Sequence, residues 1–172
     1  EIGSGLVGSE MCIRDRNNVI DYLNFPERIY PVGRLDKEST GLLLLTNNGQ
    51  LMDDILRGSN YHEKEYIVHV NKPITDSVLQ AMAQGVPILD TITRPCKIRR
   101  MGKDCFYITL TQGLNRQIRR MCEYFDYRVT SLKRIRIMNI ELGSLPVGKW
   151  RELTPSEIKT LKNLAQNKGE AE

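Results

Sequence analysis

The 172-residue sequence predicts an α+β protein, and three kinds of stretch carry that prediction. Leu42–Leu45 is an unbroken apolar run between Gly41 and the turn former Asn47-Asn48-Gly49, as a strand buried on both faces requires. Tyr66, Val68 and Val70, and again Phe106, Ile108 and Leu110, alternate with their neighbours at the period of a half-buried strand. Leu51, Met52, Ile55 and Leu56 recur at helical spacing, as do Ile118, Met121, Cys122 and Phe125, and Ile158, Leu161 and Leu164. The length suits one domain with a sizeable core.

In chain order, residues 1–16 are glycine-rich without a sustained period and are expected to be a non-native or disordered segment. Asn17 or Asn18 caps a short helix over Val19–Leu23, which Pro26 stops. Ile29, Tyr30 and Val32 lead to Gly33, and a charged knot of Arg34, Asp36, Lys37 and Glu38 precedes the Leu42–Leu45 strand. The next helix ends at Gly58, and a strand follows over Tyr66–Val70. Thr75 or Asp76 caps a helix reaching about Ala83; short strands near Ile88–Leu89 and Ile92–Arg99, a turn at Met101–Asp104 and the Phe106–Leu110 strand come next. Asn115 is the expected N-cap of the helix bearing Ile118. From Val129 to Ile140 the chain reads as two strands or a bent one, with Lys133, Arg134 and Arg136 outward. Trp150 reads as packing, and Thr154-Pro155-Ser156-Glu157 is a capping box opening the last helix. Residues 168–172 are an expected frayed tail.

The net charge of +4 is compatible with a polyanionic partner, and Arg99–Arg100, Arg116–Arg120 and Lys133–Arg136 concentrate the positive residues in the second half. Four scattered cysteines and two histidines argue against a structural zinc, so no metal is expected and the thiols read as reduced ones in a cytoplasmic protein. No apolar run approaches the roughly 18 residues of a membrane span, and no cofactor motif is present.

Asp36 is the residue that needs an explanation. A carboxylate entering a buried strand costs several kcal/mol unless cations or donors compensate it. Pairing with Arg34 or Lys37 would merely close a turn, whereas a functional role would use the charge. Arg116, Arg119 and Arg120 pose a similar question, because they line one stripe of a helix's first half. The macrodipole is positive there, so cations are mildly disfavoured without an anion nearby.

Gly33-Arg34-Leu35-Asp36 followed by Ser39-Thr40-Gly41-Leu42-Leu43-Leu44-Leu45-Thr46-Asn47 closely resembles the catalytic-aspartate motif of the RNA pseudouridine synthases, in the branch that modifies bacterial ribosomal RNA. Lys64-Glu65-Tyr66 is similar to that family's second motif and Asn115-Arg116-Gln117-Ile118-Arg119 to its third. The resemblance implies the family's catalytic fold over residues 17–167, a mixed, mainly antiparallel sheet with flanking helices. It implies Asp36 as nucleophile, Tyr66 stacking on the target uracil, and Arg119 pairing with the aspartate. Arg34, Lys64, Arg116 and Arg120 would bind RNA, with Arg34 helping to extrude the base. The implied reaction needs no metal and no cofactor, in a cytoplasmic monomer acting on ribosomal RNA. His62–Tyr66 and Asn71–Asp76 look most like the F type among the synthases of large ribosomal RNA, for which a transfer-RNA anticodon uridine is a second substrate. Relatives begin with an S4-like RNA-binding domain and a strand carrying Lys-Pro; neither is found here, so an N-terminally truncated catalytic domain is expected. Two other readings stay open on the residues: a non-catalytic RNA-binding assembly factor with this fold, and a basic DNA-binding regulator, against which no helix-turn-helix precedes the arginine helix.

Overall fold

The computed structural model describes residues 2–6, 19–57 and 61–166. Among them, eleven strands and five helices follow one another: β1 (Ile2–Leu6), α1 (Val19–Leu23), β2 (Tyr30–Val32), β3 (Ser39–Thr46), α2 (Gly49–Leu56), β4 (Lys64–Val70), α3 (Asp76–Gln84), β5 (Pro87–Ile88), β6 (Thr91–Ile92), β7 (Lys97–Arg100), β8 (Cys105–Leu110), α4 (Gln117–Tyr124), β9 (Val129–Ile137), β10 (Ile140–Glu141), β11 (Trp150–Glu152) and α5 (Pro155–Gln166). The main sheet runs β11-β1-β3-β9-β4-β8-β7, with β2 added to β3 and β10 to β9. All its pairings are antiparallel except β3 with β9, so the α+β expectation of a mixed, mainly antiparallel sheet holds.

Strand β3 is central because its apolar run faces two cores. Leu42 and Leu44 pack with α2, α5 and the β9–β10 corner, whereas Leu43 and Leu45 pack under α1. A third cluster lies between β4, β8, β9 and the helices α3 and α4, built on Val68, Phe106, Ile108, Met82 and Met121. Each fully buried aliphatic side chain of this kind contributes about 1.5–3 kcal/mol. Within the Asn47-Asn48-Gly49 turn, Asn48 caps α2, accepting from Leu51 N at 3.1 Å, and of the two caps expected for α3 it is Thr75 that accepts, from Val78 N at 3.3 Å. Thr154 and Glu157 form a reciprocal capping box at 2.8 and 3.2 Å. Trp150 packs edge-to-face on Phe25, with ring centroids 4.9 Å apart.

Several expectations are corrected. Of residues 1–16, expected to be a non-native or disordered segment, Ile2–Leu6 form a strand between β3 and β11, and the others lie outside the described residues. The physical reason is the edge of β3, whose Leu42–Thr46 backbone needs a partner on the side away from β2. Helix α4 begins after Arg116, not at an Asn115 cap. Arg116 takes a left-handed conformation (φ 50°), and the Gln117 carboxamide accepts from Leu114 N at 3.1 Å instead. Arg134 points inward, against the outward expectation, and is 4% exposed. A bulge explains it: Glu65 pairs with Arg136 but Tyr66 with Arg134, which leaves Ile135 unpaired and shifts the alternation of β9 by one. His62, which the sequence leaves as a surface or strand residue, is buried, with its Nε2 3.1 Å from the carbonyl of Asp54. The expected cap at Asn17 or Asn18, the helix stop at Gly58 and the 168–172 tail lie outside the described residues.

Candidate active site

A cavity of about 580 Å³ opens at the entry to β3, between the Gly33–Ser39 segment, the end of α2, the start of β4 and the approach to α4. Its walls include Arg34, Asp36, Lys64, Tyr66, Arg116 and Arg119. The structure thus brings together six of the seven residues singled out in the sequence. The seventh, Arg120, does not line the cavity, because its guanidinium turns back to the Asn115 carbonyl (3.0 Å) and carboxamide oxygen (3.2 Å).

Charge is distributed unevenly around this space. Arg34, Lys37, Arg57, Lys64, Arg116, Arg119 and Arg134 line it with seven cations, and Asp36 is the single carboxylate among the lining residues. Burial, and secondarily the nearby Arg134, hold the Lys64 ammonium below the usual lysine range. Burial also lowers His62. Such a field favours an anionic ligand and stabilises negative charge within the cavity.

The sheet geometry places the central pair. Tyr66 stands opposite Ile108 on one side and Arg134 on the other, and its ring borders both the α4 core and the cavity. Asp36 is half-buried in the loop before β3, and its carbonyl accepts from Ser39 N at 2.8 Å in a tight turn. Gly41, two residues into the parallel pairing, has φ +113°; a Cβ there would collide with the carbonyl of Arg134. Glycine therefore lets β9 approach closely enough to complete the cavity wall.

Arg119 is buried on α4, but its partners differ from the expected one. Its Nη2 donates to the Glu38 carbonyl (3.0 Å) and the Ser39 hydroxyl (3.3 Å), and its Nη1 lies 3.7 Å from the Glu38 carboxylate. The contact is with the turn that carries Asp36, not with the Asp36 carboxylate. Nε of Arg119 is buried without a hydrogen-bond partner among the described residues. Arg116 approaches Glu38 at 3.6 Å, and its left-handed backbone costs about 1–2 kcal/mol at the cavity rim. The wall before α4 is tied by Gln117, which donates to Gln112 at 3.2 Å, while Gln112 accepts from Arg94 N at 3.1 Å.

Sequence reasoning missed Arg134, Ser39 and the Gln112–Gln117 pair. Gly41 was the available signal for Arg134, since a glycine within an apolar strand marks a close backbone approach. Away from the cavity, His69, Asp104 and Cys105 bring one potential metal-ligating atom each within 4.8 Å of one another. Burial pushes the thiols of Cys96 and Cys122 up to about 11 and about 12, so both stay protonated at neutral pH.

A family model described as RNA pseudouridylate synthase matches residues 11–124, and the chain belongs to that family of RNA-modifying enzymes. It is 55% identical over 152 residues to the dual-specificity RNA pseudouridine synthase RluF of Salmonella typhi, covering 88% of this chain and 53% of that protein. Ribosomal large subunit pseudouridine synthase B of Bacillus subtilis is 34% identical over 170 residues, covering 95% of this chain and 70% of that one. A crystal structure of a pseudouridylate synthase has a TM-score of 0.83 at 29% identity, covering 94% of this chain and 74% of its own. The chain spans about half the length of the RluF relatives it matches. Among the described residues, no helix is long and apolar enough to cross a membrane.

Proposed function

We propose that this chain isomerises a uridine of large-subunit ribosomal RNA to pseudouridine, as a cytoplasmic monomer, with Asp36 as the nucleophile. The observation that carries this reading is one cavity whose lining holds a tyrosine and a single carboxylate among seven cations. In the net reaction the N1–C1′ bond breaks and a C5–C1′ bond forms, while C5 loses its proton and N1 gains one. The balance is the same whether the carboxylate first attacks C1′ or the uracil ring. The bond between Asp36 and the substrate breaks again, either when C5 displaces the carboxylate from C1′ or when the carboxylate is eliminated from C6 as C5 loses its proton, so Asp36 is regenerated.

A uridine must leave its helix to reach Asp36, which costs a few kcal/mol of lost stacking. Tyr66 offers a replacement face, worth ~1–3 kcal/mol per stacked base, and its hydroxyl helps the proton leave C5. Arg34 aids extrusion, and Lys64 and Arg116 meet backbone phosphates. Arg119 acts on the Asp36 turn through Glu38 and Ser39. The relatives named for the large ribosomal subunit and for dual specificity support the choice of RNA, with a transfer-RNA anticodon uridine as second substrate.

Carbodiimide labelling followed by primer extension tests this directly. Incubating the chain with large-subunit ribosomal RNA transcript is expected to create a discrete new stop one nucleotide 3′ to a modified uridine. A transcript without any new stop would contradict the reading.

A further inference from the structure

The buried arginine of β9 has no part in the family resemblance described above, yet its contacts enclose the nucleophile. Arg134 is 4% exposed, and its Nε donates to the Leu42 carbonyl at 2.8 Å while Nη1 donates to the Arg34 carbonyl at 3.2 Å. Those acceptors flank Asp36, two residues before it and six after. The guanidinium therefore closes the 34–42 loop into a ring from a strand about a hundred residues away in sequence. Its Nη2 is buried without a hydrogen-bond partner among the described residues, although an unpaired buried donor is costly. Stability alone is poorly served by a charge held this way, because a well-packed apolar residue is often at least as stabilising. Gly41 supports the same arrangement: only without a Cβ does β3 come close enough to β9 for the fork to reach the Leu42 carbonyl.

We propose that Arg134 is a positioning residue: its two-pronged grip on the Arg34 and Leu42 carbonyls sets where the Asp36 carboxylate stands against the flipped base. This rests on the function proposed above. Arg119 holds the downstream side of the loop through Glu38 and Ser39, so the nucleophile is braced by two buried guanidiniums, one from α4 and one from β9. The planar fork matters as much as the charge. A lysine presents one compact ammonium and cannot span both carbonyls along the directions the guanidinium uses.

The test compares the wild-type chain with Arg134→Lys and Arg134→Met by hydrogen-exchange mass spectrometry and by steady-state turnover on ribosomal RNA transcript. In Arg134→Lys, amide exchange is expected to quicken about tenfold or more in the peptide covering residues 33–42, with peptides of β8 and α3 unchanged. Turnover is expected to show kcat reduced tenfold or more with KM within twofold, and Arg134→Met is expected to be worse than Arg134→Lys in both readouts. Unchanged exchange in 33–42 would overturn the proposal. So would quickening spread evenly over the sheet, or failure of both variants to fold, since either means that Arg134 serves only the stability of the core. The exchange result stands without any activity, so absent wild-type turnover would count against the proposed function and leave the exchange result to decide the role of Arg134.

Discussion

Replacing Gly41 by alanine tests how closely β3 must approach β9 to form the site. An added Cβ would lie 2.5 Å from the Arg134 nitrogen and 2.9 Å from its carbonyl carbon, both backbone atoms that no side-chain rotation can clear. The φ of +113° adds strain of about 1–3 kcal/mol for a residue with a side chain. Relieving the collision parts the Ser39–Gly41 and Leu132–Arg134 ladder, where each hydrogen bond contributes about 0.5–1.5 kcal/mol. Together these give about 3–6 kcal/mol, which at about 2–4 °C per kcal/mol for a chain of this size lowers Tm by roughly 10–20 °C. Circular dichroism melts of Gly41→Ala against wild type measure it. Gly49→Ala serves as the control, because a Cβ at that exposed helix start meets nothing within 4 Å and should change stability by less than about 0.5 kcal/mol. A Gly41→Ala protein melting within about 3 °C of wild type would refute the argument that β9 and the Asp36 loop depend on that close approach.

Other outcomes follow from the same geometry. Tyr66→Phe keeps the ring and loses the hydroxyl, so turnover should fall by about 10²-fold or more while RNA affinity stays within severalfold; unaltered turnover would remove the hydroxyl from the chemistry. Lys64→Met should raise stability by about 0.5–1 kcal/mol in a thermal melt, because a desolvated ammonium beside Arg134 is removed, and should weaken RNA binding in a titration. Glu157 is held at about 2, chiefly by the hydrogen bonds of Arg151 at 2.7 and 2.8 Å. Its folded-state value is depressed, so its contribution is complete above about pH 4.5 and is lost as pH falls towards 2. The full shift would correspond to about 3 kcal/mol, reduced to about 1 kcal/mol by solvent screening at this partly exposed pair. The Tm difference between wild type and Glu157→Gln should therefore be present at pH 7 and vanish near pH 2.

The elements that could be read from the sequence are those whose local chemistry agrees with their tertiary setting. Leu42–Leu45 announces a strand buried on both faces because both faces do meet cores. Thr154 and Glu157 cap α5 because the box needs only two residues three positions apart. Asp36, Tyr66 and Arg119 were legible as a group through the motif resemblance, and the cavity brings all three to its wall. What could not be read depends on partners far away in sequence. The inward turn of Arg134 follows from a bulge defined by the pairing of β9 with β4, and a simple alternation with Ile135 and Ile137 gives the opposite phase. The start of α4 follows from Gln117 taking up the Leu114 N–H, while Arg120 occupies Asn115 and so leaves the cavity. Arg119 reaches the turn after Asp36 and not its carboxylate, a distinction that no spacing rule contains.

Release of tritium from 5-tritiated uridine in large-subunit ribosomal RNA, compared between the chain and its Asp36→Asn variant, probes the nucleophile and the reaction together. Release by the wild type alone, with RNA binding retained in the variant, is the predicted result, because only loss of the C5 proton frees the label. Equal release by both proteins would contradict the assignment of Asp36, and none from a correctly folded wild type would contradict the reaction itself.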